Sequence, residues 1–182
     1  MSPQFRKVAE STIFDGHLIR VASTVFEAPD GTHLDREIVH HPGAVVVVPV
    51  TGDRKAVMVR QFRAAVGDDL LEVPAGKRDV DGEPTEVTAA RELAEEVGRK
   101  AGRLELMARF YNSPGFTDEF TWLYLAQDLE EVPHDRQGLE EQHMTIVEVP
   151  LDDVPGLIEA GELVDAKSII GLTLAAARVP AG

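Results

Sequence analysis

Three glutamates, Glu92, Glu95 and Glu96, lie close together near the middle of the chain. In an α-helix, which turns by about 100° per residue, these positions share one face. Carboxylates at this spacing repel one another by roughly 0.2–0.5 kcal/mol per pair, and in the last turn they also meet the negative end of the helix dipole. A divalent cation would relieve both costs. The cluster therefore indicates a metal site, with an ordinary solvated polar face as the alternative.

Composition narrows the choice of metal and of partner. The chain has no cysteine and a formal net charge of −14. The candidate ligands are all oxygen atoms, since there are no thiolates and no nearby pair of histidines. Such ligands favour Mg²⁺ or, as the alternative, Mn²⁺ over Zn²⁺. We expect no nucleic-acid partner, because binding there depends largely on cations that neutralise phosphates. A small phosphate-bearing molecule fits this charge if carboxylates hold divalent ions.

The chain is expected to be cytoplasmic. Without cysteine it needs no oxidising compartment. Its first residues, MSPQFRKVAESTIF, lack the apolar core of a signal peptide, and its apolar runs are too short to span a bilayer. Neither secretion nor membrane insertion is predicted.

A helix from Pro84 to Val97 is predicted to carry the glutamates. Pro84 suits a first helical position, and Gly98 suits the residue just past the end. Arg91 lies beside the acids, where it either holds a carboxylate through its planar fork or is a simple surface cation. The predicted apolar face, opposite the glutamates, consists of Val87, Ala90, Leu93, Ala94 and Val97.

The remaining pattern predicts an α/β sandwich with helices on both sides of a mixed sheet. Ala44–Val50 and Lys55–Arg63 are interpreted as two strands of a hairpin, the first covered on both faces because it is apolar at nearly every position. Further strands are predicted at Leu104–Tyr111, Phe120–Leu125 and Met144–Val149, and further helices at Val154–Ala160 and Ala166–Ala177.

An antiparallel meander is predicted before this sandwich, over residues 12–41. Its turn signals are Asp15-Gly16 and Pro29-Asp30-Gly31. Its core is thin, so we expect it to rest on the main domain or on a second subunit. His40 and His41, at its end, have no identifiable partner and are interpreted as loop or strand-end residues.

The acidic segment resembles the Nudix box, G-x5-E-x7-R-E-U-x-E-E-x-G-U, where U is a bulky apolar residue. The matching positions are Gly76, Glu83, Arg91, Glu92, Leu93, Glu95, Glu96 and Gly98. Two departures are present, since six residues instead of five separate Gly76 from Glu83, and Arg99 replaces the last apolar residue. The first departure lengthens a loop and puts the role of Glu83 in question.

The resemblance implies a Nudix-type α/β/α sandwich with a mixed sheet and a small amino-terminal antiparallel β-sheet. In this interpretation residues 42–182 are the hydrolase domain. Residues 1–41 resemble the amino-terminal sheet that relatives exchange between subunits, so a homodimer is expected.

Further segments resemble the ADP-ribose pyrophosphatase branch of this family. They are Arg36-Glu37-Ile38-Val39, Gln61-Phe62-Arg63, Leu71 to Gly76, and Ser113 to Glu119, with Pro114 sixteen residues beyond Gly98. The branch implies Mg²⁺-assisted hydrolysis of ADP-ribose to AMP and ribose 5-phosphate. Another nucleoside diphosphate sugar or a dinucleotide such as NADH is the alternative substrate. A non-catalytic ligand sensor is disfavoured, because the acids of the box are all present.

By this resemblance Glu92 and Glu96 are the main metal ligands, the carbonyl of Ala75 completes one site, and Glu95 contributes to another and to catalysis. A further base is expected from a late loop, at Glu140 or Glu141. An exposed acidic loop is the alternative interpretation of that pair.

Arg36 and Arg63 are expected to contact phosphates or the terminal ribose, with ordinary surface cations as the alternative. Pro114 is expected to contact the substrate. Phe116 or Phe26 could stack on adenine, although a lone aromatic side chain more often belongs to a core.

Overall fold

The computed structural model describes residues 4–133 and 142–180. They form two compact units. The amino-terminal unit comprises residues 4–43 and 110–121, and the main unit comprises the other described residues. The predicted boundary between residues 41 and 42 left out the second segment of the amino-terminal unit.

The amino-terminal unit contains the predicted meander as a three-stranded antiparallel sheet. Its strands are β1 (Arg6–Asp15), β2 (Arg20–Glu27) and β3 (His33–His40), in that spatial order. The sheet begins six residues earlier than predicted. Few of its side chains are buried, among them Ala22 and Thr24 of the central strand, and every residue of β1 is exposed.

The main unit contains two sheets. The strands of these sheets are β4 (Ala44–Pro49), β5 (Lys55–Arg63), β6 (Asp68–Glu72), β7 (Ala75–Lys77), β8 (Arg99–Tyr111), β9 (Phe120–Glu131) and β10 (Thr145–Pro150). One sheet has four strands in the order β7-β4-β9-β8, and the other has three strands in the order β10-β5-β6.

The predicted hairpin of β4 and β5 is wrong, because the two strands lie in different sheets and meet in an isolated bridge between Val50 and Ala56. The turn between them contains Arg54, whose φ is +65°. Its Nε donates to the Val179 carbonyl at 2.8 Å. Strand-forming residues on both sides of a turn do not reveal that the turn redirects the chain into a second sheet.

Helices cover both sides of β4, as predicted. Helix α1 (Thr85–Val97) and helix α3 (Ala166–Arg178) pack against this strand, and the short helix α2 (Val154–Glu159) lies between them in sequence. Val45 and Val47 belong to one core cluster with Leu93 of α1. Val48, which points the opposite way in an extended strand, lies against α3, where a Cβ added to Gly171 would be 2.8 Å from its Cγ2.

All six residues of β4 are buried, as its continuous apolar run indicated. None of the helices in the described ranges is long and apolar enough to cross a bilayer.

Candidate active site

Helix α1 begins and ends close to its predicted limits. Pro84 is the residue before the helix instead of its first residue, and Gly98 follows the helix with φ of 62°. The Gly98 N–H donates to the Ala94 carbonyl at 3.0 Å. This left-handed cap explains why glycine occurs here, since other residues rarely adopt that conformation.

The predicted apolar face of α1 is partly wrong. Val87 is 51% exposed and Ala90 is also exposed. The buried face instead consists of Thr88, Ala89, Glu92, Leu93, Glu96 and Val97. The helix is therefore rotated relative to the prediction, and two of the glutamates lie on the side that packs against the sheets.

Burial separates Glu92 and Glu96 from an ordinary solvated face. Their exposed fractions are 9% and 4%. Taking carboxylates out of water is costly unless charged or hydrogen-bonding partners compensate. A solvated polar face therefore does not describe these two side chains, and the metal site stays a prediction.

Gly76 lies directly against Glu92. A Cβ added at Gly76 would be 1.8 Å from Glu92 Cδ, which is far inside any permitted contact. Gly76 belongs to β7, so this short strand brings its backbone close to the glutamate side chain. Glycine is therefore needed at this position of the motif because it leaves space for the Glu92 side chain.

Arg91 gathers three carboxylates. Its Nη1 donates to Glu92 Oε1 at 2.8 Å and to Glu95 Oε2 at 3.0 Å, and its Nη2 donates to Glu83 Oε2 at 3.3 Å. Burial acts to lower the pKa of Arg91, but the bond to Glu83 and the charges of Glu92 and Glu95 raise it overall. Arg91 is thus a carboxylate holder instead of a lone surface cation.

Glu83 reaches α1 despite the longer loop. Its Oε2 accepts a hydrogen bond from Thr88 Oγ1 at 2.8 Å. The bond from Thr88 lowers the pKa of Glu83 against the effect of burial, and Arg91 lowers it further. The extra residue is absorbed in a turn in which the Glu83 N–H donates to the Val80 carbonyl and Gly82 has φ of +73°.

The same loop is anchored by Arg78. The Arg78 guanidinium lies 4.5 Å from the centre of the Trp122 ring, within cation–π range. Its Nη2 also donates to the Glu83 carbonyl at 3.4 Å. Nothing in the spacing of Arg78 and Trp122 in the sequence indicates this contact.

Ala75 lies beside Glu96, through its N–H, while the predicted role of its carbonyl as a metal ligand stays a prediction. The Ala75 N–H donates to Glu96 Oε2 at 3.2 Å. All four residues proposed to bind metal belong to β7 or to α1. They are Ala75, Glu92, Glu95 and Glu96.

The chemistry of this donor set suits a hard divalent cation. Within residues 4–133 and 142–180, no three histidine, aspartate or glutamate side chains are already arranged as a metal site. Arg91 instead supplies the positive charge between Glu92 and Glu95. Buried carboxylate oxygens beside a glycine backbone are ligands that Mg²⁺ and Mn²⁺ accept.

Arg63 is paired with a buried partner that the sequence did not reveal. Its Nε and Nη2 donate to the two oxygens of Glu72 at 2.7 and 2.6 Å, and Glu72 is 1% exposed. The bond to Glu72 raises the pKa of Arg63 against the effect of burial, and Asp165 and Glu96 add smaller electrostatic contributions. In the register of β5 with β6, Arg63 lies opposite Asp68 and Glu72 lies opposite Val59, so the Arg63 side chain reaches along the sheet to Glu72.

The amino-terminal unit contains a cavity of about 410 Å³. Arg36 and Pro114, both predicted to bind substrate, line it together with the two aromatic candidates, Phe26 and Phe116. Phe116 is 56% exposed, so it is not a core residue. The other lining residues are Glu37, Ile38, Tyr111, Gly115, Thr117 and Asp118.

His40 and His41 have a partner after all, in Asp118. The Nδ1 atom of His40 lies 2.6 Å from Asp118 Oδ2, and the His41 N–H donates to Asp118 Oδ1 at 2.8 Å. Burial acts to raise the pKa of Asp118, but the bonds from His40 and from the His41 N–H lower it overall. His40 ends β3 and His41 follows it outside any strand, as interpreted, but the expectation that neither has a partner is wrong.

The proposed bases Glu140 and Glu141 lie outside the described residues. Their role stays a prediction.

Comparisons with known proteins identify the family of this chain. The NUDIX domain family matches residues 40–170. An ADP-ribose pyrophosphatase of Bacillus subtilis is 41% identical over 163 residues, covering 90% of this chain and 88% of the relative. A methanol dehydrogenase activator of Bacillus methanolicus is 35% identical over 167 residues, covering 92% and 90%.

Among solved structures, one titled "Crystal structure of ADP compounds hydrolase" superposes with a TM-score of 0.80 at 25% identity, covering 96% of this chain and 92% of that one. The chain therefore belongs to the NUDIX family, and the predicted α/β sandwich fold is confirmed. Nudix hydrolases generally need divalent metal ions.

Proposed function

We propose that this chain is a cytoplasmic pyrophosphohydrolase that cleaves the diphosphate of ADP-ribose to AMP and ribose 5-phosphate. The observation that carries the proposal is the buried pair Glu92, beside Gly76, and Glu96, beside Ala75, within the complete set of acids of the family motif. The 41% identity to a protein named ADP-ribose pyrophosphatase supports the substrate.

Glu92 and Glu96 would hold Mg²⁺ or Mn²⁺, with Glu95 and the Ala75 carbonyl as further ligands. A bound divalent ion supplies charge neutralisation for phosphate oxygens and lowers the pKa of bound water. Arg91 holds Glu92 and Glu95 in fixed positions through short hydrogen bonds. Preorganised carboxylates of this kind lower the cost of assembling a charged site.

The attacking water must lose a proton during the reaction. We propose Glu140 or Glu141 as the base that accepts it, because the family resemblance implies a catalytic glutamate in this segment and a carboxylate suits this transfer. Substitution of each by glutamine, with kcat measured for both, assigns the role to the residue whose loss is the larger.

The cavity of the amino-terminal unit would bind part of the nucleotide. It is lined by Arg36, Pro114, Phe26 and Phe116, among others. The exposed ring of Phe116 and the partly buried ring of Phe26 would offer a stacking surface for a base, and a guanidinium suits ribose or phosphate oxygens. Arg63 would contact a phosphate through Nη1, since Glu72 holds its Nε and Nη2 atoms.

A homodimer is also proposed. Strand β1 lies at the edge of its sheet and exposes Ile13 (58%) and Phe14 (56%), a pattern that a second copy would cover. Light scattering of the wild type should give twice the mass of one chain. The Ile13→Glu variant should give the mass of a single chain, because a charge would then lie in the proposed interface. Val66→Glu, at a residue 62% exposed in the main unit, is the matched control. A monomeric wild type would refute the proposal.

The substrate is tested by measuring product release from ADP-ribose, ADP-glucose, GDP-mannose, NADH and ADP, with Mg²⁺, with Mn²⁺ and with chelator. We expect metal-dependent preference for ADP-ribose. Preference for another nucleotide would keep the site chemistry and overturn the substrate, whereas no turnover of any compound would favour a ligand sensor.

A further inference from the structure

The segment that forms one wall of the amino-terminal cavity, residues 114–117, is held at its end by a histidine–carboxylate contact. Asp118 immediately follows this segment and itself lines the cavity. Its two carboxylate oxygens contact different groups of the β3 end, His40 Nδ1 at 2.6 Å and the His41 N–H at 2.8 Å. One side chain thus bonds to two successive residues that are 78 and 77 positions away in sequence.

Backbone bonds continue this attachment along the wall. The Val39 N–H donates to the Phe116 carbonyl at 2.8 Å, and the Asp118 N–H donates to the Val39 carbonyl at 3.2 Å. Phe116 itself is 56% exposed, so little burial of its ring holds the segment in place. The positions of Pro114 and Phe116 therefore depend strongly on polar contacts to the end of β3.

His40 also faces a second carboxylate across the sheet. Its Nε2 lies 3.6 Å from Glu10 Oε2, which is an ion-pair distance but longer than a hydrogen bond. Glu10 in turn contacts Lys7, Arg20 and Thr24. The imidazole is thus placed between two anionic groups, an arrangement that limits its orientation and directs Nδ1 toward Asp118.

We propose that His40 and Asp118 are positioning residues that set the shape of the cavity wall at Pro114 and Phe116, and thereby set the affinity for the nucleotide. The inference rests on the proposed function in one respect, that the cavity takes part of the substrate. Neither residue is assigned a role in proton transfer or in metal binding.

The pair is tested first by hydrogen exchange, which does not depend on activity. The Val39 and Asp118 amides report directly on the attachment. In His40→Gln and Asp118→Asn we expect these amides to exchange about tenfold faster, as loss of one charge-assisted bond would allow. His33→Gln is the matched control, because His33 is on the same strand and also faces a carboxylate, Glu27, at 3.5 Å. Unchanged exchange in both variants would overturn the proposal.

The kinetic test uses the best substrate of the wild type. Both variants should raise KM about tenfold and leave kcat within about twofold, since the wall binds substrate without touching the reacting atoms. His33→Gln should leave both constants unchanged. A lower kcat at unchanged KM would overturn the positioning role.

A double variant asks whether the two residues act as one unit. His40→Gln combined with Asp118→Asn should raise KM no more than either single change, because the bond is already lost. A multiplied effect of about a hundredfold would refute the pairing. If the wild type hydrolyses none of the nucleotides, the proposed function fails, and hydrogen exchange alone decides whether the pair holds the segment.

Discussion

Replacing Gly76 by alanine perturbs the proposed metal site without removing any of its charges. The new Cβ would lie 1.8 Å from Glu92 Cδ, whereas ordinary contact begins at 3.4 Å, so the carboxylate must move by about 1.6 Å (3.4 − 1.8). A displacement of about 1 Å in an active site can cost about a hundredfold in rate. We therefore expect kcat/KM to fall at least about a hundredfold, equivalent to about 2.7 kcal/mol of transition-state stabilisation.

Steady-state kinetics with ADP-ribose measures this loss, and circular dichroism establishes that the variant is folded. Gly52→Ala is the matched control in the same unit, because nothing lies within 4 Å of its added Cβ. Mn²⁺ binding followed by electron paramagnetic resonance should weaken in the Gly76 variant alone. A folded Gly76→Ala enzyme with wild-type kcat/KM and Mn²⁺ affinity would refute the placement of Glu92 as a ligand beside this glycine.

Three further predictions concern stability. Leu93→Ala should lower the free energy of unfolding by about 2–5 kcal/mol, because Leu93 is buried. Val87→Ala on the same helix should change it by less than about 1 kcal/mol, because Val87 is 51% exposed. Urea denaturation measures both values, and equal losses would contradict the observed helix orientation. Asp165 begins α3 and accepts the Ser168 N–H at 2.8 Å. Burial acts to raise its pKa, but Lys167 and Ser168 lower it overall. The pKa of Asp165 is thus lower in the folded than in the unfolded state, so its stabilisation is present above about pH 4 and is lost as pH falls through the folded pKa. Asp165→Asn should therefore lower the melting temperature at pH 7, and the difference from wild type should become smaller toward pH 3. A difference that stays constant with pH would contradict this. Arg91→Gln should lower the melting temperature in chelator. Added Mg²⁺ should raise the melting temperature of this variant more than that of wild type, because carboxylates that lose the Arg91 charge gain more from a bound ion. Equal rises in melting temperature would show that Arg91 and the ion do not share these carboxylates.

Local signals predicted the limits of α1 well. A proline before the helix and a glycine after it act within one turn, and their effects are the same in any fold. The burial of β4 was predicted for a similar reason, since a continuous apolar run has no exposed face. The motif likewise brought Glu92 and Glu96 together, because helical spacing alone places them side by side.

The sequence could not reveal features that depend on distant pairing. The orientation of α1 was misjudged because Glu92 and Glu96 are buried through Arg91 and the Ala75 backbone, against their usual preference for water. The fork of Arg63 with Glu72 depends on the pairing of β5 with β6, and β6 and β7 were not predicted.

The metal site is tested most directly by Glu96→Gln, which keeps the size of the side chain and removes its charge. ADP-ribose turnover by this variant and by wild type should be measured with Mg²⁺, alongside wild type in chelator, with the melting temperature of each protein recorded. We predict that the variant is folded and that its turnover falls to the level of wild type in chelator. A folded variant that retains Mg²⁺-dependent turnover would contradict the assignment of Glu96 as a metal ligand.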